Sequence, residues 1–266
     1  MTADWMPPEV DLRIPNSARV YDYLLDGDHN FQADRELADK IMRIMPGARE
    51  VARINRAFLR RAALFLVSTG VRQFLDIGSG IPTVGNLHEI VQQADPTCRV
   101  VYVDKDPVAV AHSRLLLKDN DRATVLHADL RDVTEIFAGA AELLDFGQRV
   151  GLFMLLLLHF APDSWDPFGI VARYRDHLAS GSYFALSHGS ADSQVPGQPE
   201  ASEEYRKTQT DTFTRTHDEV LRFFTGFELV EPGLVGSALW RPQGVGDISD
   251  NPDLNALCYV GVGRKP

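Results

Sequence analysis

With 266 residues, 44% hydrophobic and 24% charged, the chain has the make-up of a globular protein large enough for one substantial core. Its formal net charge of −10 argues against non-specific binding to nucleic acid or to an anionic membrane surface. Cys98 and Cys258 lie far apart and form no metal-ligand spacing, which suits reduced thiols in a cytoplasmic protein; the acidic opening MTADWMPPEVD lacks a signal-peptide apolar core, and the longest apolar run, 152–158, is too short to span a bilayer.

Residues 1–12 have the composition of a loose arm. Asn16 or Ser17 can cap a short helix carrying Val20, Tyr21 and Leu24. A polar, glycine-bearing turn follows, LDGDHNF at 25–31, and then a second helix over 33–45 that stops before Pro46-Gly47. This region precedes the first core strand, so residues 1–48 are expected to form an arm and helical cap on a domain spanning 49–266. The cap has two readings. It is a decoration covering a sheet edge, or it is a lid with Tyr21, Tyr23, Asn30 and Phe31 facing a ligand. Composition favours the first, because aromatics at helical spacing are usually core. A long helix is predicted over 50–68, with Val51, Ile54, Phe58, Ala62, Phe65 and Leu66 as its apolar stripe. Asn55, Arg56, Arg60 and Arg61 on it read as a solvated face from which one side chain can reach back to a ligand carboxylate.

QFLDIGSG, residues 73–80, reads as a buried strand running into a glycine turn. A helix is predicted from Pro82, proline being tolerated in a first turn. Strand, glycine turn and helix form the entrance to a nucleotide site, where Gly78, Ser79 and Gly80 let a ligand approach the backbone. The third position of the dinucleotide fingerprint is Thr83 rather than glycine, which weakens a pyrophosphate reading. Asp76 would repel a pyrophosphate but can hold a ligand ammonium.

Strands at 99–103, 124–128, 150–160 and 182–187 then alternate with helices at 107–118, 132–144 and 166–178. This alternation predicts a doubly wound, Rossmann-like α/β fold with a parallel sheet. Residues 200–214 read as a charged helix or lid, and Thr216-His217-Asp218-Glu219 as a capping box. Two final strands, 227–230 and 257–262, are separated by a long loop without a helix-length apolar pattern, so they are expected to pair antiparallel.

Asp76, Asp104 and Asp129 each close a strand region, along the edge where open α/β sheets bind ligands. Asp104 lies 24 residues after Gly80, the place of a ribose-binding acid, with Lys105 beside it. Asp129, with Leu130, lies where a carboxylate can accept from an adenine amino group. Each acid alone has a plainer reading as a loop residue or cap, and Asp106 is read as the N-cap of 107–118.

LDIGSG (75–80), VVYVDKDP (100–107), HADLRD (127–132) and the paired terminal strands together resemble class I S-adenosylmethionine-dependent methyltransferases. More narrowly, ARVYDYLLDGDHNFQADR (18–35), INRAFLRRA (54–62), LLLHFAPD (156–163) and LWRP (239–242) are similar to a bacterial S-adenosyl methyltransferase family of unassigned substrate. The resemblance implies S-adenosylmethionine as cofactor and a seven-stranded sheet with the last strand antiparallel. It places Gly78 and Gly80 at the methionine part, Asp104 at the ribose and Asp129 at the adenine. It also raises the lid reading of Tyr21, Tyr23, Asn30 and Phe31. Ile81-Pro82 departs from the pattern, since many class members carry another glycine there.

Methyl transfer from an activated sulfonium needs placement and water exclusion more than side-chain chemistry. If the acceptor must lose a proton, His159 and His188 are the candidate bases, each with an equally good reading as a satisfied structural histidine. The sequence has neither an Asn/Asp-Pro-Pro-aromatic run nor a Pro-Cys nucleophile. A small-molecule acceptor is therefore favoured over nucleic acid. The alternative is a non-catalytic sensor that binds the cofactor or a related nucleoside. A nicotinamide dehydrogenase is disfavoured by Asp76 and Thr83.

Overall fold

The computed structural model describes residues 10–82, 85–208, 211–244 and 252–266. Its centre is one mixed sheet in the order β3-β2-β1-β4-β5-β8-β6. The strands are β1 (Gln73–Ile77), β2 (Arg99–Asp104), β3 (Ala123–His127), β4 (Val150–Leu155), β5 (Tyr183–Gly189), β6 (Glu228–Leu229), β7 (Val235–Gly236) and β8 (Cys258–Arg264). β1 to β5 run parallel, and β8 enters antiparallel beside β5. β6 and β7 pair with successive halves of β8, Arg264-Gly263 and Val260-Tyr259. Seven strand positions result, the edge one being filled by two short pieces where the sequence suggested one strand and a loop.

The helices follow from the chain's punctuation. α1 (Ser17–Leu24) is capped by Asn16, whose side chain accepts from the Ala18 N–H. α2 (Gln32–Ile44) is fastened to it by the fully buried Asp34. That carboxylate accepts from the N–H groups of Asn16 and Phe31, both at 2.8 Å, and pairs with buried Arg19. α3 (Ala48–Ser68) is the long helix expected from its apolar stripe. α4 (Leu87–Ala94) begins five residues later than predicted: Asn86, not Pro82, is its cap, with Glu89 closing the capping box. Thr83 and Val84, which the prediction also used, lie outside the described residues. α5 (Pro107–Leu117) starts at Asp106, whose side chain accepts from Val108 N–H at 2.7 Å. α6 (Val133–Ala140), α7 (Pro167–His177), α8 (Gln198–Arg206), α9 (His217–Leu221) and α10 (Pro252–Asn255) complete the set.

Two cores sandwich the sheet. Ile136, Phe137, Tyr174 and Phe223 cover one face; Phe58, Leu66, Val91, Val110 and Trp240 cover the other. Strands covered on both faces should be apolar throughout, and Gln73–Ile77 is buried along its whole length. A separate cluster joins Val20, Leu24, Leu37 and Ile41 of the cap to Ala48 and Ala52 of α3 and Ala201 of α8. Arg61, expected on a solvated face, is 1% exposed and donates to the carbonyls of Trp240 and Ser237.

The predicted strand 150–160 ends early. Leu156 takes φ 46, a left-handed value rare for a branched side chain, and its N–H turns to the Ser187 carbonyl and hydroxyl. A short 3₁₀ turn, Leu158–Phe160, follows. The apolar run thus leaves the sheet at its ligand-binding edge instead of continuing through it.

Candidate active site

A cavity of about 610 Å³ opens along the carboxyl ends of β1, β2, β3 and β4. That volume is in the range of pockets that enclose small ligands, roughly 300–1,000 Å³. Its floor is Asp76 to Gly80, Val103 to Asp106, Ala128 and Leu130. Its roof comes from the cap and α3: Ala18, Tyr21, Leu24, Ile41, Met45, Ala52, Asn55 and Arg56. Its far wall comes from the chain after β4 and from α8: Leu157, His159, Phe160, Trp165, Ala201 and Tyr205, with Phe213 beyond.

The glycine turn is shaped for close approach. Gly78 and Ser79 N–H groups both bond the Val103 carbonyl, at 2.8 and 3.1 Å, which anchors the turn to β2. Gly78 has φ +69, and a Cβ there would strike Leu157 at 2.5 Å. Gly80 has φ +67, yet a Cβ there would meet only Ala18, at 3.8 Å. Its bare backbone therefore faces open space between turn and cap.

Asp104 is 8% exposed. Its two oxygens accept from Gly80 N–H at 2.7 Å and Asp106 N–H at 2.8 Å. Burial pushes its carboxyl up, against those two hydrogen bonds. Asp76 differs in kind. No hydrogen-bond donor among the described residues reaches it, and burial pushes it up to about 7, with the Arg56 guanidinium opposing and the Asp104 carboxylate adding to the rise. A buried carboxylate without a donor is a site for a cationic or donating ligand group. Arg56 itself bonds the Gly85 carbonyl at 2.8 Å. Asn55 donates to the Tyr21 hydroxyl at 2.9 Å, and the Tyr21 hydroxyl donates to the Ala52 carbonyl at 3.1 Å. Asn55 Oδ1 and Ser79 Oγ are buried without partners among the described residues. Open acids, orphaned polar atoms, a bare glycine and an apolar slot at Val103 and Leu130 together fit a nucleoside joined to an amino-acid chain.

The structure does not bring every predicted residue to this cavity. Of the four cap residues, Tyr21 lines it and the other three turn elsewhere. Tyr23 bonds Asp39 and lies under the Arg49 guanidinium. Asn30 donates to Asp22 and to the Gly27 carbonyl, knitting the LDGDHNF turn to itself. Phe31 packs on Ile81 and Val108 and under Arg19. The polar turn is held by Asp22 of α1, Arg35 of α2 and Arg53 of α3, which is why its residues look functional in sequence and are not at the cavity. Asp129 also stands outside the lining. Burial raises its carboxyl, but Arg131 outweighs that through hydrogen bonds at 2.7 and 3.0 Å and holds it below the ordinary value. Arg131 in turn lies over Trp165, which does line the cavity. Lys105 and Leu130 line it as well.

The two histidines separate. His188 is fully buried and away from the cavity; its Nδ1–H donates to the Gly189 carbonyl and its Nε2 accepts from Arg215. Burial pushes it down to about 4. Both nitrogens are committed, so it is a structural residue and not the base that the sequence allowed. His159 lines the cavity and remains a candidate to touch substrate.

Sequence reasoning missed Trp165, Phe160, Tyr205 and Phe213. The available signal for Tyr205 was its four-residue spacing from Ala201 on an otherwise charged helix. Phe213 lies on irregular chain and had no periodic signal.

A parallel sheet with one antiparallel strand inserted near its end, a glycine turn after β1 and acids at successive strand ends define a Rossmann-like S-adenosylmethionine-dependent methyltransferase. The chain belongs to the S-adenosyl methyltransferase family, whose model matches residues 3–266. A DUF574 family protein from Streptomyces avermitilis MA-4680 is 38% identical with a TM-score of 0.91, over 96% of this chain and 99% of that one. A Thermobifida fusca YX protein, described only as a candidate methyltransferase, is 40% identical with a TM-score of 0.91, over 99% of both chains. The plantazolicin methyltransferase BpumL, solved with S-adenosylhomocysteine, shares the fold at a TM-score of 0.53 and 12% identity, over 94% of this chain and 95% of that one. A search of curated proteins found no match. S-adenosylmethionine is the cofactor of this family and of this chain.

Proposed function

We propose that this enzyme methylates a small-molecule acceptor held in the same cavity as its cofactor, with residues 1–48 as arm and cap on a 49–266 catalytic domain. One observation carries the reading. The cavity is continuous from the glycine turn and Asp104 to a chamber walled by Met45, Phe160, Tyr205 and Phe213. A concave chamber beside the cofactor turn suits a small molecule. The acidic balance of the chain argues against nucleic acid as the acceptor.

Each group has a role set by its surroundings. Asp104 would take the ribose hydroxyls on the lone pairs its two backbone donors leave free. Asp76 would take the ammonium. Arg56, Asn55 and Tyr21 would meet the methionine end from above. Asp129 would act on the adenine side through Arg131 and Trp165 rather than directly. The bound sulfonium supplies an activated methyl group. The protein supplies placement in a largely apolar chamber.

Calorimetric titration with S-adenosylhomocysteine, followed by a screen of small acceptors with labelled methyl donor, tests the reading. Binding with turnover on at least one small acceptor supports it. Binding without turnover across the screen, accompanied by a ligand-dependent change in association, would instead favour a sensor.

A further inference from the structure

His159 has no partner on either ring nitrogen among the described residues, and the two nitrogens are not equivalent. Nδ1 is fully enclosed and has no hydrogen-bond partner among the described residues. Nε2 is therefore the nitrogen through which this cavity-lining side chain meets the chamber. A neutral imidazole must put its proton on one of them. An N–H sealed in the interior without an acceptor is the less tolerated orphan. The proton accordingly resides on Nε2, where the chamber can accept it. Burial, with His188 and Arg215 adding to it, holds the ring neutral, pushed down to about 3. The backbone that carries the ring is held: Phe213 N–H donates to the His159 carbonyl at 2.6 Å, and Arg215 binds the flanking Leu158 and Ala161 carbonyls at 3.2 and 3.0 Å.

The chamber beside His159 is short of charge. The charged side chains lining the cavity, among the described residues, are Arg56, Asp76, Asp104, Lys105 and Asp106 near the glycine turn, and Asp211. Asp211 stands 3.7 Å from the Arg206 guanidinium. An acceptor bearing its own charge would be desolvated there without a partner. The rings of Phe160 and Tyr205, with centroids 6.3 Å apart, and the side chains of Met45 and Phe213 offer apolar walls instead.

We propose that His159 is a hydrogen-bond donor to the methyl acceptor through Nε2–H, and that the acceptor is an uncharged, ring-bearing apolar molecule carrying a carbonyl or ring-nitrogen acceptor atom. This deepens the small-molecule reading and rests on it. It also reverses the role expected from sequence, where His159 was a candidate base.

The test uses the full chain saturated with S-adenosylhomocysteine. Long-range proton–nitrogen correlation NMR at neutral pH reads the tautomer directly. The expected result is a protonated Nε2 and a bare Nδ1; a protonated Nδ1, or an imidazolium, overturns the assignment. Fluorescence titrations then compare three probes on one ring system: naphthyl methyl ketone, ethylnaphthalene and naphthoate. The ketone should bind roughly fivefold more tightly than ethylnaphthalene, the factor given by one net hydrogen bond of about 1 kcal/mol. Naphthoate should bind most weakly. His159→Phe should erase the ketone preference, and His159→Gln, which restores an N–H, should keep most of it. A preference that survives His159→Phe, a tighter naphthoate, or no binding of any probe overturns the proposal. S-adenosylhomocysteine titration of each protein separates the two readings. Loss in the wild type would sink the cofactor site itself, whereas intact cofactor binding with failed probe results sinks only the assignment of His159.

Discussion

Two carboxylates at the ends of the neighbouring strands β1 and β2 do opposite things. Asp104 is tied down by backbone donors on both oxygens, whereas Asp76 has none. Asp104→Ala should weaken S-adenosylhomocysteine binding by about 2–3 kcal/mol, the scale of truncating a charged hydrogen-bond partner. Asp106→Ala should lower stability by about 1 kcal/mol through its lost cap on α5 and leave affinity nearly unchanged. Calorimetry and thermal melts on the two variants decide this, and the reverse pattern would refute the assignment. Asp76 makes binding pH-dependent. Its carboxyl titrates near 7 when folded and near 3.8 when unfolded, so the folded protein without ligand binds the extra proton between those values. This group's contribution to stability is therefore largest at low pH and is lost as pH rises through about 7. A ligand ammonium needs the ionised form. Affinity should rise roughly tenfold from pH 6 to pH 8, with proton release visible in buffers of different ionisation enthalpy, and Asp76→Asn should remove the trend. A flat affinity profile in the wild type would show that the ammonium sits elsewhere.

The cap shows where sequence reading succeeds and where it stops. Its helices, the cap of α1 and the intervening turn were legible because capping residues and apolar spacing act locally. Which aromatics reach the cavity was not, because that depends on how α1 and α2 roll against α3. Tyr21 points inward to Asn55 and Ala52, while two residues along the same helix Tyr23 meets Asp39 and Arg49. Two residues are about half a helical turn, so the two rings cannot share a target. Tyr21→Ala should lower cofactor affinity by about 1–2 kcal/mol, through the lost wall and the stranded Asn55 amide. Tyr23→Ala should bind as wild type does and lose only stability. Calorimetry with a melt on each variant checks this. Equal affinity in both would make the whole segment a structural cover.

At the scale of the molecule, the parallel doubly wound sheet was readable from alternation, and the antiparallel pairing of the two final strands from the missing helix between them. The acids at successive strand ends were readable too, since a doubly wound sheet places those ends on one edge. What stayed hidden was made by breaks in pattern. Leu156 turns an unbroken apolar run out of the sheet at φ 46, and with it Leu157, His159 and Phe160. A run of identical leucines carries no mark of where such a turn falls. Arg61 was hidden for a similar reason: the carbonyls of Ser237 and Trp240 that justify its burial lie more than 170 residues further along the chain.

The stretch that carries α8 and Phe213 leaves and rejoins the sheet at a single point. Ser190 and Arg215 form a bridge, Ala191 N–H donates to the Arg215 carbonyl at 2.9 Å, and Arg215 N–H donates to the Gly189 carbonyl at 3.2 Å. An excursion whose two ends meet can change its length and content while the frame beneath it stays put. The excursion is thus closed at its base, while Ala201 of α8 packs into the cap cluster and Glu204 pairs with Lys40 of α2, so any exchange of it has to keep that seam. A laboratory chimaera that takes this excursion from the Streptomyces or Thermobifida relative and keeps Ala201 and Glu204 at the seam should shift probe preference while S-adenosylhomocysteine still binds.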